Sequence, residues 1–494
     1  MIVCKFGGSS VDGAAGIERV AGILRARLGA RPVVVVSAMA KTTRRLLDAA
    51  EAAAAGNVGA ALAGWEELRG FHRRVAEAAV PPAERAPVGA ALEGCFGELR
   101  GLLERLARER RLTPRDADAA AAWGEVLASE ILARALPGFG VAAAWIDARR
   151  VMVTDGAFTR AQPLYEETGA RLRAALLPAL ERGAVPVVGG YIGATLDGVV
   201  TTLGKEGSDF SAAIVGAALG AEEVQIWTDV DGILTADPRL VPGARRVRTL
   251  SFAESLELAC AGAKKPHHGT LGPAGRAGVP IRVLNTLDGS GAGGEAGRGG
   301  TGGEADYGGG GGTLIGRRSA AAAPTVKSLA CRPNDHLLHV SPGAAADQAD
   351  EAGAAGAAGG GAFAAFATFA ERVLRAVEEL RPALLVLRLD EGGADLALDR
   401  ADRLAEARAA LAAAGDVGVL RGRAVVSLVS EDLATDPALA ARTLAAAAAY
   451  QPRLVLAGAA APAVRCLVEI EDLPAAVADL HRRLFPDGGP KVIE

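Results

Sequence analysis

Three segments carry residue types and spacings that could do phosphate chemistry. Lys5–Ser10 reads KFGGSS: a short apolar run, Ile2–Phe6, leads into two glycines and two serines before a helix-like stretch. Small residues let backbone N–H groups approach an anionic phosphate, and a helix N-terminus favours negative charge. Lys5 would stand at the end of a strand, where open α/β sheets place their ligands. The same residues also read as an ordinary glycine turn beside a surface lysine. The segment is not a P-loop, because GxxxxGK[ST] is absent. Thr201–Asp209, TTLGKEGSD, is a glycine-punctuated loop opening a helix, with Ser208 as the predicted cap. Lys205 can pair with a carboxylate there and Asp209 can orient a cation; the plainer reading is a capped loop with surface charges. Trp227–Arg239, WTDVDGILTADPR, sets two acids just after a strand, with turn signals at Asp231-Gly232 and Asp237-Pro238-Arg239. Its alternative is an acidic surface turn, and it lacks the later ligands and closing glutamate of an EF-hand. Glu125, in WGEVLASE, falls on a predicted helix, where a solvated face is the ordinary role for a glutamate. His267 and His268 are adjacent, so they face differently on any element and do not make a ligand pair. No Ser-His-Asp set can be assembled.

These residues need elements to hold them. Pro32 precedes Val33–Val36, a buried-strand signal. Strand, loop, helix, strand, loop over residues 2–41 is the start of a parallel α/β sheet. Residues 44–135 are helical in pattern, interrupted at Pro81-Pro82 and Thr113-Pro114. Strands are predicted at Val141–Ile146, Val151–Thr154, Val185–Val188, Val224–Trp227 and Ile281–Leu284. Helices are predicted at Glu166–Arg182, Asp209–Leu219 and Phe252–Ala261. Residues 288–312 are glycine-rich and read as a flexible insertion, and 344–361 are rich in Ala and Gly. From Thr325 the pattern becomes strand-helix-strand-strand-helix-strand, twice over, the order of two ferredoxin-like modules.

Composition bounds the alternatives. The 494 residues suggest about three domains, or one large and one or two small. A net charge of −4 without a basic stripe argues against a nucleic-acid binder. Cys4, Cys95, Cys260, Cys331 and Cys466 are scattered and never paired as CxxC, which fits isolated thiols in a reducing cytoplasm better than disulfides or zinc. The N-terminus lacks the pattern of a signal peptide, and no membrane span is predicted.

Taken together, Lys5–Val11 (KFGGSSV), Val35–Thr43 (VVSAMAKTT), Gly124–Ser129 (GEVLAS), Thr201–Ala213, Gln225–Pro242, Gly262–His267 (GAKKPH), Val283–Thr286 and Gly312–Ile315 resemble the aspartate kinases (aspartokinases) of the amino-acid kinase superfamily. They occur in that family's order and at roughly its spacing over residues 1–316. The remainder resembles the family's tandem ACT domains, well over 423–485 and less so before. The resemblance implies an α/β three-layer sandwich with a mainly parallel sheet over 1–316, the insertion at 288–312 included. A divergent first ACT-like module over 317–415 and a second over 416–494 would follow.

The implied reaction is ATP plus L-aspartate giving 4-phospho-L-aspartate and ADP, the first step toward lysine, threonine, methionine and diaminopimelate. By resemblance, Lys5 would sit on the transferring phosphoryl group, Gly7, Gly8 and Ser9 would cradle it, and Asp209 would organise the lysine and Mg²⁺ region. Glu125 would take the substrate ammonium, and Ser37, Thr43 and Ser208 would contact the substrate. Lys205 would pair with the α-carboxylate, and Thr228, Asp229, Arg239 and Lys264 would hold the nucleotide. No metal ligand is assigned. Lys205 stands where the family has Arg, which keeps the charge and loses the bidentate fork, so weaker aspartate binding is expected. Glu206 replaces a glycine, Arg44 an acid or amide, Leu234 an aromatic residue, and Lys265-Pro266 alter the GAKVLHP pattern. Arg388–Asp395 and the Ala/Gly tract replace effector-facing segments, which argues against inhibition by lysine or threonine. No GxGxxG loop accompanies the kinase motifs, so a monofunctional kinase, homodimeric or larger, is expected. The competing readings are a non-catalytic regulatory paralogue that binds ATP or an amino acid, and a kinase of another acceptor such as glutamate.

Overall fold

The computed structural model describes residues 1–204, 206–263, 268–287, 311–316, 324–342, 360–380, 384–390, 392–398, 403–452, 454–457, 462–485 and 493. Most of the glycine-rich insertion, Lys205 and the 264–267 stretch therefore lie outside the described residues. The chain forms two compact units: Met1–Ile233 with Arg248–Phe252 and Lys265–Ser319, and Leu234–Val247 with Ala253–Lys264 and Ala320–Glu494.

The first unit is built on a sheet of β1 (Ile2–Phe6), β2 (Pro32–Val36), β3 (Ala143–Ile146), β4 (Val185–Gly189), β7 (Glu223–Thr228), β8 (Thr249–Ser251), β9 (Ile281–Asn285) and β10 (Thr313–Gly316), in the order β3-β4-β2-β1-β7-β9-β10-β8. All neighbours are parallel except β9 and β10. Every residue of β1 and β2 is buried, which is why these strands are unbroken apolar runs with one lysine between them. A small antiparallel pair, β5 (Ile192–Ala194) and β6 (Val200–Thr202), stands apart from this sheet.

Helix α1 (Gly13–Arg25) follows β1. After β2 comes the helical block: α2 (Thr42–Ala54), α3 (Val58–Ala79), α4 (Pro82–Glu109), α5 (Pro114–Ala121) and α6 (Trp123–Ala135). The breaks fall at the two proline sites expected. Pro82 opens α4, and Thr113 closes a capping box with Asp116 before Pro114. One predicted strand does not form. Residues 148–151 make a single helical turn, α7 (Ala148–Val151), because the Asp147 carboxylate caps it by accepting from Arg149 N at 3.0 Å. Val153 and Thr154 make only isolated bridges, to Ala194 and Pro163. The unit continues with α8 (Tyr165–Glu181), α9 (Gly207–Leu219), the start of α10 (Phe252–Cys260), and α11 (His268–Ala277).

His72 is buried in this block, with Nδ1 2.8 Å from Leu68 O and Nε2 without a partner. Burial pushes its pKa down to about 4. A folded value below the unfolded 6.5 means the neutral ring stabilises the protein above pH 6.5, and that stability is lost as pH falls toward 4. The expected loss is about 3 kcal/mol. Denaturant titrations at pH 7 and 4.5 should show it, and His72→Leu should reduce the difference between them.

The second unit holds a six-stranded sheet, β12-β13-β11-β14-β16-β15. Its strands are β11 (Ser328–Pro342), β12 (Leu384–Asp390), β13 (Gly393–Leu398), β14 (Gly415–Val429), β15 (Leu454–Ala457) and β16 (Ala463–Glu469). Its helices are α12 (Gly360–Glu379), α13 (Leu404–Leu411), α14 (Asp432–Thr435), α15 (Pro437–Ala448) and α16 (Leu473–Leu484). Two βαββα modules are present, but they are nested rather than consecutive. The second half of β11 packs with α12, α13, β13 and the first half of β14 around Leu338, Val373, Leu396 and Leu411. Its first half joins the other core, with Val426, Cys466, Val477 and Leu480. Residues 325–332 thus supply the strand that 423–485 lacks. The sequence division at 415/416 separates pieces that fold together, because β11 and β14 are long enough to run through both modules.

Segments 234–247 and 253–264 belong to this unit as well. Leu329 N donates to Thr235 O at 2.8 Å. Glu254 of α10 pairs with the buried Lys327 at 2.9 Å, and Glu257 takes Arg465 Nε at 2.7 Å. A boundary drawn from the kinase motifs alone would place both segments with residues 1–316.

Candidate functional site

The C-terminal ends of β1, β2, β4 and β7 lie side by side, and the loops leaving them bring the predicted residues of the first unit together. Lys5 is 4% exposed within β1, between Val35 and Ile226. Its ammonium is ion-paired with Asp209, which sits in the first turn of α9 and is itself 1% exposed. The helix N-terminus adds to the local positive field that holds this carboxylate.

The glycine loop is shaped by close approach. Gly7 N donates to Trp227 O at 3.1 Å, and Ser10 Oγ lies 2.7 Å from Thr286 Oγ1. A Cβ at Gly8 would come within 2.6 Å of Ala38 O, so no other residue fits without moving backbone. Ser9 is exposed at the tip. Across the crevice Ser37 N donates to Phe6 O at 3.1 Å. The 37–41 turn carries two left-handed residues in succession, Ala40 (φ 45°) and Lys41 (φ 57°). Tyr191 (φ 64°) and Glu206 (φ 58°) also adopt this conformation on adjacent loops. Such backbone costs roughly 1–3 kcal/mol per residue and gathers where geometry serves a ligand.

Glu125 is not on a solvated helix face. It begins α6 fully buried, one Oε accepting from Ala38 N at 3.2 Å and the other, Oε2, with no partner. Burial raises its pKa to about 8, against smaller downward pulls from the Ala38 N–H and the Lys5 charge. A Cβ at Gly124 would lie 2.8 Å from Ala38 Cβ and 3.2 Å from Thr43 Oγ1, so this glycine lets the helix start against the 38–43 turn. Ser208 does not cap α9: Glu206 occupies the N-cap position, and Ser208 is buried inside the first turn. Its Cβ packs 2.7 Å from where a Gly190 side chain would begin.

At the end of β7, Thr228 Oγ1 donates to Asp229 at 3.1 Å and Thr228 O accepts from Thr286 N at 2.7 Å. Arg239 belongs to the second unit, where Asp237 holds its guanidinium (Nε to Oδ1 3.0 Å). Leu234 O in that unit accepts from Ser328 Oγ, and Arg44 is a surface partner of Asp48. Lys205 and Lys264 lie outside the described residues. Among the described residues no group of three or more His, Cys, Asp or Glu could hold a metal ion.

Two residues of this region are invisible to motif reasoning. Tyr191 is half-buried beside α9, its ring 2.8 Å from where a Gly207 Cβ would stand, and desolvation lifts its phenol to about 12. Asp118, on α5, is buried and accepts three hydrogen bonds from loops on the site side. Nothing in DADAAAA marks it apart from its neighbours except a charge among alanines.

A buried lysine near the end of β1, a tight glycine turn after it and a helix N-terminus bearing an acid meet at one end of a mainly parallel α/β sheet. The family model described as "Amino acid kinase family" matches residues 1–285. The chain belongs to the amino acid kinase family, and its relatives within that family are aspartokinases. It is 37% identical over 292 residues to "Aspartokinase 2, chloroplastic" of Arabidopsis thaliana, covering 58% of this chain and 52% of that one. The match spans about half the length of such curated relatives. The solved E. coli aspartokinase III in complex with aspartate and ADP (R-state) is 28% identical, with a TM-score of 0.78 over 98% of this chain and all of the other. The E. coli aspartokinase III structure with lysine and aspartate (T-state) is 28% identical with a TM-score of 0.73, covering 98% of this chain and 99% of the other. The kinase sandwich and the ACT-like modules anticipated from the sequence are both present.

Proposed function

We propose that the chain is an aspartate kinase that transfers the γ-phosphoryl group of ATP to the β-carboxylate of L-aspartate. The observation that carries this is the pairing, in one crevice, of a buried carboxylate with an unsatisfied oxygen, Glu125, and a buried strand-end cation, Lys5. The first suits an ammonium and the second a phosphoryl group. The aspartate and ADP held by the E. coli relative support the same substrates here.

In this reading a β-carboxylate oxygen of aspartate attacks the γ-phosphorus, the bond to the β-phosphate bridging oxygen breaks, and ADP leaves with the electron pair. Such transfer needs mainly positioning and neutralisation of charge. Lys5 holds the transferring group, and Gly7, Gly8 and Ser9 admit it to backbone N–H groups. Asp209 holds Lys5 in place. Glu125 grips the substrate ammonium, Ser37, Thr43 and Ser208 line its body, and Lys205 takes the α-carboxylate. Thr228, Asp229, Arg239 and Lys264 serve the nucleotide. The bare cradle at Gly8 and the acid at Asp209 fit a Mg²⁺–nucleotide, the ion held mainly by phosphates and neutralising their charge.

The unit that holds Lys5, Glu125 and Asp209 would be the catalytic domain and the nested modules its regulatory part. The first module forms a well-packed core despite its divergent sequence, and the matched E. coli enzyme binds lysine, so control by an amino acid fits better than the sequence departures suggested. No helix among the described residues is long and apolar enough to cross a membrane. A cytoplasmic homodimer or larger homo-oligomer completes the reading, in keeping with five cysteines that form no disulfide.

The test is an aspartyl-hydroxamate assay with ATP, Mg²⁺, L-aspartate and hydroxylamine, which traps the acyl phosphate. Aspartate-dependent hydroxamate is expected. ATP binding without product would replace this reading with a non-catalytic one. In the same assay Lys205→Arg should lower the aspartate KM about three- to tenfold, because the guanidinium restores a two-pronged grip on the α-carboxylate.

A further inference from the structure

We propose that Asp118 is a positioning residue for the acceptor amino acid, bracing Thr159 and the end of β6, from which the chain leads into the site. The inference rests on the aspartate-kinase reading and deepens it. Asp118 is 1% exposed and, among the described residues, makes no ion pair. Its Oδ2 accepts from Thr159 N at 2.9 Å and from Thr202 N at 2.9 Å, and its Oδ1 accepts from Thr202 Oγ1 at 2.6 Å. One carboxylate on α5 therefore ties down residues 41 and 84 positions away.

Both tethered points lead to the site. Thr202 ends β6, and the chain runs from it through Lys205 to Ser208 and Asp209. Thr159 is held at φ 69°, a conformation a β-branched residue adopts only under constraint, and its carbonyl packs against Gly204 (3.2 Å from a Cβ there). Thr159 and Gly204 thus meet across the two segments, with Asp118 holding both Thr159 and Thr202.

A second connection reaches the first turns of α9. Leu203 N donates to Tyr191 O at 2.8 Å, and Tyr191 N donates to Ser211 Oγ at 2.9 Å. The Tyr191 ring lies 2.8 Å from where a Gly207 Cβ would stand. From Asp118 the contacts thus run through Thr202 and its neighbour Leu203 to Tyr191 and the helix that carries Ser208 and Asp209.

Three donors converge on Asp118, so only an acceptor at both oxygens satisfies them. In Asp118→Asn the amide oxygen can still serve the two N–H groups, but the NH₂ then meets Thr202 Oγ1, whose hydroxyl must turn from donor to acceptor and loses a charged partner, so the brace weakens at that bond while volume is unchanged. A structural brace alone would lower stability and disturb both substrates alike. A brace of the acceptor loops disturbs aspartate selectively.

The experiment is steady-state hydroxamate kinetics with both substrates varied, alongside calorimetric titration of L-aspartate and of ADP, on the full chain, Asp118→Asn and Thr202→Val. Asp118→Asn should raise the aspartate KM and Kd about tenfold and leave those for ATP and ADP within twofold. Thr202→Val, which removes only the hydroxyl, should give a smaller rise of the same selectivity. The effects on the aspartate KM should be less than additive in the double variant, since both changes meet at the Asp118–Thr202 hydroxyl bond. If the variants melt earlier but keep the aspartate KM, or if both substrates weaken together, the proposal is overturned while the kinase reading stands. Should Asp118→Asn fail to fold, Thr202→Val decides alone by the same criterion. A wild-type chain that binds ADP but neither binds nor phosphorylates aspartate would overturn the kinase reading, and this inference with it.

Discussion

Replacing Lys5 with methionine will abolish hydroxamate formation, with kcat falling by about 10³ or more. That corresponds to about 4 kcal/mol of transition-state stabilisation. The ammonium is almost wholly buried and paired with an equally buried carboxylate, so its charge acts in a low-dielectric site where it is worth far more than in water. The single variant also strands Asp209, and breaking a buried pair costs about 3–5 kcal/mol of stability. The pairing of Lys5→Met with Asp209→Asn separates the two effects. The double variant should recover much of the lost thermal stability and none of the activity. A Lys5→Met protein that stays folded and keeps hydroxamate formation would remove Lys5 from the phosphoryl site.

Aspartate binding will strengthen with pH up to about 8 and release a proton as it occurs. Glu125 is protonated in the ligand-free protein below its raised pKa of about 8, mainly because burial disfavours the carboxylate. An ammonium needs the ionised form. Below pH 8 the aspartate KM should therefore rise about tenfold for each pH unit lost. Calorimetry at pH 7 in two buffers of different ionisation enthalpy should count close to one proton released per aspartate. Glu125→Gln should bind aspartate weakly at every pH and show a flat profile. The stability of the empty protein runs the other way. A carboxyl whose folded pKa lies above its unfolded value loses stability as pH rises from about 4.5 to about 8 and loses no more beyond it. The ligand-free Glu125→Gln protein should therefore melt higher than the parent at pH 8. A steep pH profile that survives in Glu125→Gln would assign the titration to another group.

Much of the first unit could be read from residue order. Val33–Val36 is an apolar run buried on both faces and Val224–Trp227 one broken only by Gln225, so their type is plain, and Pro82 and Pro114 open helices where a missing N–H does no harm. KFGGSSV and the GSD at α9 located Lys5, Gly8 and Asp209 before any coordinates. Where local signals competed, the reading failed. Val151–Thr154 looked like a strand, but a capping aspartate one residue before Ala148 set a helical turn first. Ser208 reads as a cap, but α9 starts two residues earlier than that cap implies, after a left-handed Glu206.

What the order of residues settled is the kind of chemistry and the succession of strands and helices, because both depend on neighbours within a turn or a strand. What tertiary structure alone decided is the state of the charges and the partners of distant segments. Glu125 is an ordinary helix-start glutamate in sequence, and it becomes a raised-pKa acceptor only when Ala38, Gly189 and the 38–43 turn close around it. Asp118 gains its three donors from loops that only folding brings near. The two ACT-like modules share β11 and β14 because strand pairing joins residues 328–332 to 425–429 across nearly a hundred positions, and no local periodicity encodes which strand will be a neighbour. Burial and pairing are sums over the whole fold, so they are absent from any window of the sequence.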